Sequence, residues 1–262
     1  MKVEHSAAMK FTHVFITRPR RESEELAALL APLGLESVIQ SAFSFSPLDA
    51  RNGQEDVFTE MKSSGPDALV IFTSPRSVAH GVPQLPDEVL FGARIAAIGP
   101  ATARALGAAG IRVNVTPRNG YTSEALLETL AEEGSGNIVR QPFAFIIAAP
   151  GGRRKLFEGL HHLGWKTRMV MVYKPERSEL DKPALNALRD ASGILSVWTS
   201  ANAMKALSQR LPPATWFQLC QGEWLVISDR LQRLARAYGP ARIHLASGPG
   251  NADLLSAIRS LV

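Results

Sequence analysis

The side chains able to do chemistry form a narrow set of hydroxyls, glycines and arginines, gathered at short breaks that follow apolar runs. Arg18 follows residues 13–16, Thr73 and Ser74 follow 68–72, and Gly99 and Thr102 follow 94–98. Thr122 lies in the break at 118–123, and Gly152 and Arg153 follow 144–148. Thr199 and Ser200 follow 194–198, and Ser228 and Arg230 follow 224–227. The one carboxylate within these breaks is Asp229. Taken singly, each is an ordinary helix cap or turn former. Together they offer amide hydrogens, hydroxyls and guanidinium groups, the donors that receive an anion. Their spread suits a ligand carrying several separated carboxylates or phosphates.

Other chemistries find less support. No G-x-x-x-x-G-K-[ST] phosphate loop is present, and Gly248-Pro249-Gly250-Asn251 stops short of a dinucleotide fingerprint, so a nicotinamide cofactor is not expected. His161 and His162 are neighbours on a helical pattern, where side chains diverge by about 100° and cannot share a metal. No metal site and no cofactor are expected. Cys220 has no histidine near it in sequence and reads as a small buried hydrophobe. Tyr173 is different. It ends the apolar stretch 169–172 just before Lys174-Pro175, and a phenol can donate a proton at neutral pH without carrying charge. The other role open to it is an aromatic anchor at a hinge.

Eight short β-rich runs, at 13–16, 68–72, 94–98, 111–115, 144–148, 194–198, 224–227 and 243–245, alternate with helical patterns. That alternation predicts an α/β fold of parallel sheets. Leu26, Leu29, Leu30 and Leu33 recur at helical spacing before Gly34, and Leu156, Leu160 and Leu163 do so before Gly164. The chain also repeats itself: VIFTSPRSVA from Val70 matches SVWTSANAMK from Ser196, and FITRPRRESEELAALLAPLG pairs with FIIAAPGGRRKLFEGLHHLG. The counterpart of the segment 15–34, at 145–164, comes after the inner block, so the copies are permuted and one domain is inserted in the other. The expected division is 1–40 with 174–262, and 41–173. Stretches 36–45 and 166–175 form a two-stranded connector, and the helix-starting ends of both domains face one shared cleft.

The chain has 262 residues, 45% hydrophobic and 20% charged, which excludes disorder and fibrous repeats. Its net charge of +5 is small and scattered, and basic-aromatic clusters are missing, so nucleic acid is not an expected partner. A single cysteine fits a reducing cytoplasm. No run approaches the ~18 apolar residues of a membrane span, and residues 1–10 lack the apolar core of a signal peptide.

The ordered set VFITRPR, LVIFTSPRSV, IAAIGPATARALGAAGI, TSEALL, PGGRRKLFEGLHHLGW, VYKP, VWTSANAM and VISDRLQRLARAYG resembles the uroporphyrinogen-III synthase family over nearly the whole chain. The resemblance implies two flavodoxin-like domains joined by a two-stranded connector, a monomer and no cofactor. It implies closure of the linear tetrapyrrole hydroxymethylbilane to uroporphyrinogen III. The family's tyrosine falls on Tyr173 and its first-loop arginine on Arg18. Its Thr-Ser turns fall on Thr73 with Ser74 and Thr199 with Ser200, its Gly-x-x-Thr turn on Gly99 and Thr102, and its Ser-x-Arg turn on Ser228 and Arg230. The competing reading is a non-catalytic two-domain binder of polyanionic small molecules.

Overall fold

The computed structural model describes residues 10–133, 142–151 and 154–262. In chain order these hold β1 (His13–Ile16), α1 (Arg20–Leu30), β2 (Glu36–Ile39), β3 (Phe43–Pro47), α2 (Glu55–Ser63), β4 (Leu69–Phe72), α3 (Pro75–Gly81) and α4 (Asp87–Gly92). There follow β5 (Arg94–Ala97), α5 (Pro100–Ala108), α6 (Ser123–Glu133), β6 (Phe143–Ala148), α7 (Arg154–His162), β7 (Lys166–Met171) and β8 (Tyr173–Arg177). The chain ends with α8 (Lys182–Ala187), β9 (Ile194–Trp198), α9 (Ala201–Ser208), α10 (Pro213–Gln221), β10 (Glu223–Val226), α11 (Asp229–Arg236), β11 (Arg242–Leu245) and α12 (Asn251–Arg259).

Two compact units divide the chain, Met1–Ser44 with Glu176–Val262, and Phe45–Pro175. The first holds a parallel sheet of spatial order β11-β10-β9-β1-β2. Numbered by appearance within the unit, that is the flavodoxin-like order 2-1-3-4-5 read from the other side. The second unit holds β5-β4-β6-β7, also parallel, with Val115 bridged to Ala96 outside β5. Counted from β6 rather than β4, this sheet has the same order, which explains why the sequence repeats are permuted.

Two expectations need correction. Residues 111–115 form one bridge, not a strand. The Asn114 side chain accepts a hydrogen bond from Ile95 N at 2.8 Å, while Asn114 N and Val115 N both donate to Ile95 O, so an amide side chain replaces the ladder. The proposed connector stretches each split in two: β2 and β7 are parallel edge strands of the main sheets, and only β3 with β8 forms the two-stranded sheet. The break after β2 is made by Gln40, whose side chain donates to Ser41 O and Glu179 O and accepts from Asp181 N. Apolar alternation alone does not reveal such a turn.

The central strands β1, β4, β6 and β9 are covered on both faces, so they are apolar at most positions. In the first unit Phe15, Trp198, Trp224 and Val226 pack on one side, and Val14, Ile16, Leu195, Val197 and Leu225 on the other. In the second, Val70, Phe72, Phe145 and Ile147 oppose Leu69, Ile71, Ala144 and Ile146. Helix α3 lies close against this sheet because Gly81 has no side chain: a Cβ there would stand 2.8 Å from Ile147 Cγ2 and 3.3 Å from Phe72 Cε1. Gly81→Val is therefore expected to cost about 1–3 kcal/mol by overpacking, read as a lowered denaturation midpoint.

Candidate functional site

Parallel pairing brings the carboxyl ends of β1, β9, β10 and β11 to one edge of the first sheet. Chain direction in strand order reverses between β1 and β9, the switch point where such sheets bind ligands. Arg18, Thr199 and Ser200 sit there. Thr17 Oγ1 donates to Val197 O at 2.8 Å and ties the two strands together just below them. The Ser200 hydroxyl accepts from Ala203 N at 3.4 Å and that of Ser228 from Leu231 N at 3.3 Å, so both also cap their helices. Arg18 is half-buried; its carbonyl accepts from Ser23 Oγ and Ser41 Oγ, and its guanidinium donates to Asn251 Oδ1. Burial lowers the Arg18 pKa, against the opposing pull of Glu22 and Glu25. Arg230 is exposed, at a loop farther from the switch point.

In the second unit the switch point lies between β4 and β6. Thr73 Oγ1 donates to Ile147 O at 3.1 Å, again bridging the two strands. Ser74 forms a reciprocal capping box with Ser77, each hydroxyl accepting the other residue's N–H at 3.1 Å. Gly99 caps α5, and Thr102 is buried, with its N–H bonded to Gly99 O. Thr122 Oγ1 accepts from Ala125 N at 3.1 Å. Gly152 and Arg153 lie outside the described residues. Tyr173 opens β8, one residue after β7 ends, and is only 8% exposed. Its ring stacks on the His80 imidazole, centroids 5.3 Å apart at 26°, and meets Phe45 edge-on at 5.9 Å.

Carboxylates discriminate among the helices that start on these edges. Glu22, Glu124, Asp229 and Asp253 occupy the first turns of α1, α6, α11 and α12. Their own helix dipoles and amides are thus already served. Glu124 shows it: a bond from its own backbone N–H, then one from Lys155, holds its carboxyl below the usual range. Asp253 accepts from Gly250 N at 3.1 Å and Ser247 Oγ at 2.9 Å, and a Cβ on Gly248 or Gly250 would come within 2.8 Å of its Oδ2. The glycines of that loop therefore admit an internal carboxylate, not a ligand. Asp253→Ala is expected to lower stability by about 0.5–2 kcal/mol, measured by urea unfolding, and to leave substrate affinity unchanged. Among the described helices that directly follow a strand of the two main sheets, the first turns free of acid are those of α3, α5, α7 and α9. Three of the four follow strands at a switch point.

The family model described as uroporphyrinogen-III synthase HemD matches residues 24–256. The chain belongs to the uroporphyrinogen-III synthase family. A uroporphyrinogen-III synthase of Escherichia coli K12 is 27% identical over 256 residues, covering 94% of this chain and 99% of that one. A putative uroporphyrinogen-III synthase of Methanothermobacter thermautotrophicus is 27% identical over 207 residues, 74% of this chain and 78% of its own. The fold is similar to that of a mutant uroporphyrinogen III synthase from the extremely thermophilic bacterium Thermus thermophilus, with a TM-score of 0.61 at 19% identity over 95% of this chain and 98% of the other. It is similar also to uroporphyrinogen-III synthetase from Helicobacter pylori 26695, with a TM-score of 0.61 at 15% identity over 95% and 99%.

Within this uroporphyrinogen-III synthase fold, sequence reasoning missed the partners of its own candidates. Ser41 and Asn251 hold Arg18, Phe45 and His80 pack on the Tyr173 ring, and Arg76 lies over Phe45. Only the i, i+4 spacing of Arg76 and His80 on α3 was a signal that could have joined two of them. Among the described residues no cluster of His, Cys, Asp and Glu could hold a metal ion, and no helix is long and apolar enough to cross a membrane.

Proposed function

We propose that this chain closes hydroxymethylbilane to uroporphyrinogen III, with Tyr173 as proton donor and the helix-starting edge of each sheet supplying groups that bind the substrate's carboxylates. The concentration of acid-free helix starts at the switch point of each sheet, with Arg18 at that of the first, carries this reading. Hydroxymethylbilane has a carboxylate on every acetate and propionate arm, so its binding rests on amide hydrogens, Ser and Thr hydroxyls and a few arginines. Arg18, Ser74, Gly99, Thr199 and Ser200 supply these groups, with Gly152 and Arg153, which follow β6 in the sequence, as further candidates. Thr73 and Thr102 turn their buried side chains to the fold and shape the turns that present the amides. Thr122, Ser228 and Arg230 take outer positions.

Reaction begins when the ring A hydroxymethyl carbon–oxygen bond breaks. The pyrrole nitrogen supplies the electron pair, and the Tyr173 hydroxyl gives the proton with which the oxygen leaves as water. Ring D attacks the resulting azafulvene through its substituted carbon, forming a spiro intermediate. The bond joining ring D to its original bridge then breaks, and the bridge carbon rebonds at the other α-carbon of ring D. Loss of the proton from that carbon restores aromaticity, and the phenolate regains a proton. Net change is the loss of one water. General acid catalysis at one atom is enough here, because the pyrroles provide the driving electrons and the protein provides conformation.

Incubation with hydroxymethylbilane, followed by oxidation and separation of the porphyrin isomers, tests this. Isomer III is the expected product; isomer I alone, at the rate of the uncatalysed closure, would contradict it. A polyanion binder would show a raised melting temperature with the bilane and no change in isomer ratio.

A further inference from the structure

Arg76 and His80 stand one turn apart on the same face of α3 and grip two rings of the β3–β8 sheet. The Arg76 guanidinium lies 3.7 Å over the Phe45 ring. Phe45 meets Tyr173 edge-on, and His80 covers a face of the phenol. The helix that carries both is itself fixed, by the close approach at Gly81 and by Gln84. The Gln84 side-chain amide donates to His80 O at 2.7 Å and to Val172 O at 3.4 Å, the residue before Tyr173. Thus the backbone of His80 and the strand end that bears the phenol are tied to the same side chain.

The Thr-Ser turn itself does not demand this arrangement. In the duplicated helix α9, Asn202 and Ala206 occupy the positions of Arg76 and His80 after the same Thr-Ser pair. The pair is a specific feature of the unit that carries Tyr173. Burial first, and the Arg76 charge second, hold the His80 pKa below its ordinary value, which keeps the imidazole neutral against the phenol.

We propose that His80 is a positioning residue for Tyr173: its ring, stacked on the phenol, fixes the direction from which the hydroxyl donates its proton. This rests on Tyr173 being the donor. Parallel stacking is the wrong geometry for a hydrogen bond between the rings, so the face of the imidazole acts and its nitrogens do not. Ring stacking leaves the phenol few orientations, and a small misplacement of a reacting group is costly in rate.

Steady-state kinetics with isomer analysis on His80→Ala, His80→Gln, His80→Phe and Tyr173→Phe test the proposal, each variant first checked for folding by circular dichroism. His80 borders a depression of about 470 Å³ shared with Leu48, Asp49 and Gln84, which leaves room for the larger phenylalanine ring. His80→Ala and His80→Gln are expected to lower kcat about tenfold or more with KM within about twofold, since a misplaced donor slows the chemical step. His80→Phe is expected to restore most of kcat. The Tyr173 ring resonances, assigned by Tyr173→Phe, should move in the Ala and Gln variants as the stacked ring is lost. Wild-type kcat in His80→Ala and His80→Gln, while Tyr173→Phe is impaired, would overturn the proposal and leave the donor assignment standing. Equal impairment of His80→Phe and His80→Ala would also overturn it, by assigning the effect to the imidazole nitrogens. Wild-type turnover in Tyr173→Phe would remove the donor assignment and the proposal with it. Should His80→Ala not fold, His80→Gln and His80→Phe carry the same comparison.

Discussion

Tyr173→Phe is expected to lower kcat by about 10²–10³-fold with little change in KM, the size of effect expected when a general acid is removed from one proton transfer. The substitution deletes one oxygen and keeps the ring. Contacts with Phe45 and His80 are made by ring faces and edges, so they survive, and so does the packing of the 8%-exposed side chain. A loss of turnover in this variant is therefore chemical in origin and not a failure of folding. Stopped-time assays with isomer analysis supply the number. Turnover equal to wild type in a normally folded variant would end the role given to this residue.

Arg18→Met is expected to raise KM by roughly 10–100-fold with a smaller effect on kcat, the range for losing a hydrogen bond to a charged partner of about 1.5–3 kcal/mol. The guanidinium is half-buried beside the switch point of the first sheet and is steered by the side chain of Asn251. Methionine keeps much of the aliphatic stem. The bonds from Ser23 and Ser41 go to the Arg18 carbonyl and are retained. Arg18→Lys should restore little, because a point charge cannot bond Asn251 and a carboxylate in the fork geometry of a guanidinium. Substrate-concentration curves for both variants, alongside their melting temperatures, separate affinity from stability.

Much of this was legible in the amino-acid order, and for a physical reason. Strands buried on both faces must be apolar throughout, and βα turns must carry caps, so runs such as Leu69–Phe72 followed by Thr73-Ser74 announce themselves. The edge strands β2 and β7 were harder: Glu36 and Lys166 are polar, half of each strand faces away from the core, and the pattern merged with the following β3 and β8. Asn114 hid a broken strand by standing in for backbone. At the site, the donor-rich loops were visible in sequence, but which helix starts were already neutralised was not. Asp253 and Glu124 lie outside the loops, and only the fold shows Asp253 turned back onto Ser247 and Gly250. The His80–Tyr173 stack joins residues far apart in sequence and has no periodicity to reveal it.

Amide hydrogen exchange, followed by mass spectrometry with and without uroporphyrinogen III held under reducing conditions, tests the receptor most directly. Slowed exchange is expected at the starts of α3, α5 and α9, over residues 74–78, 99–103 and 200–204, with no change at 228–232 or 247–253, where Asp229 and Asp253 already serve the helix. Protection confined to those acid-bearing starts, or absent from both sheet edges, would contradict the account.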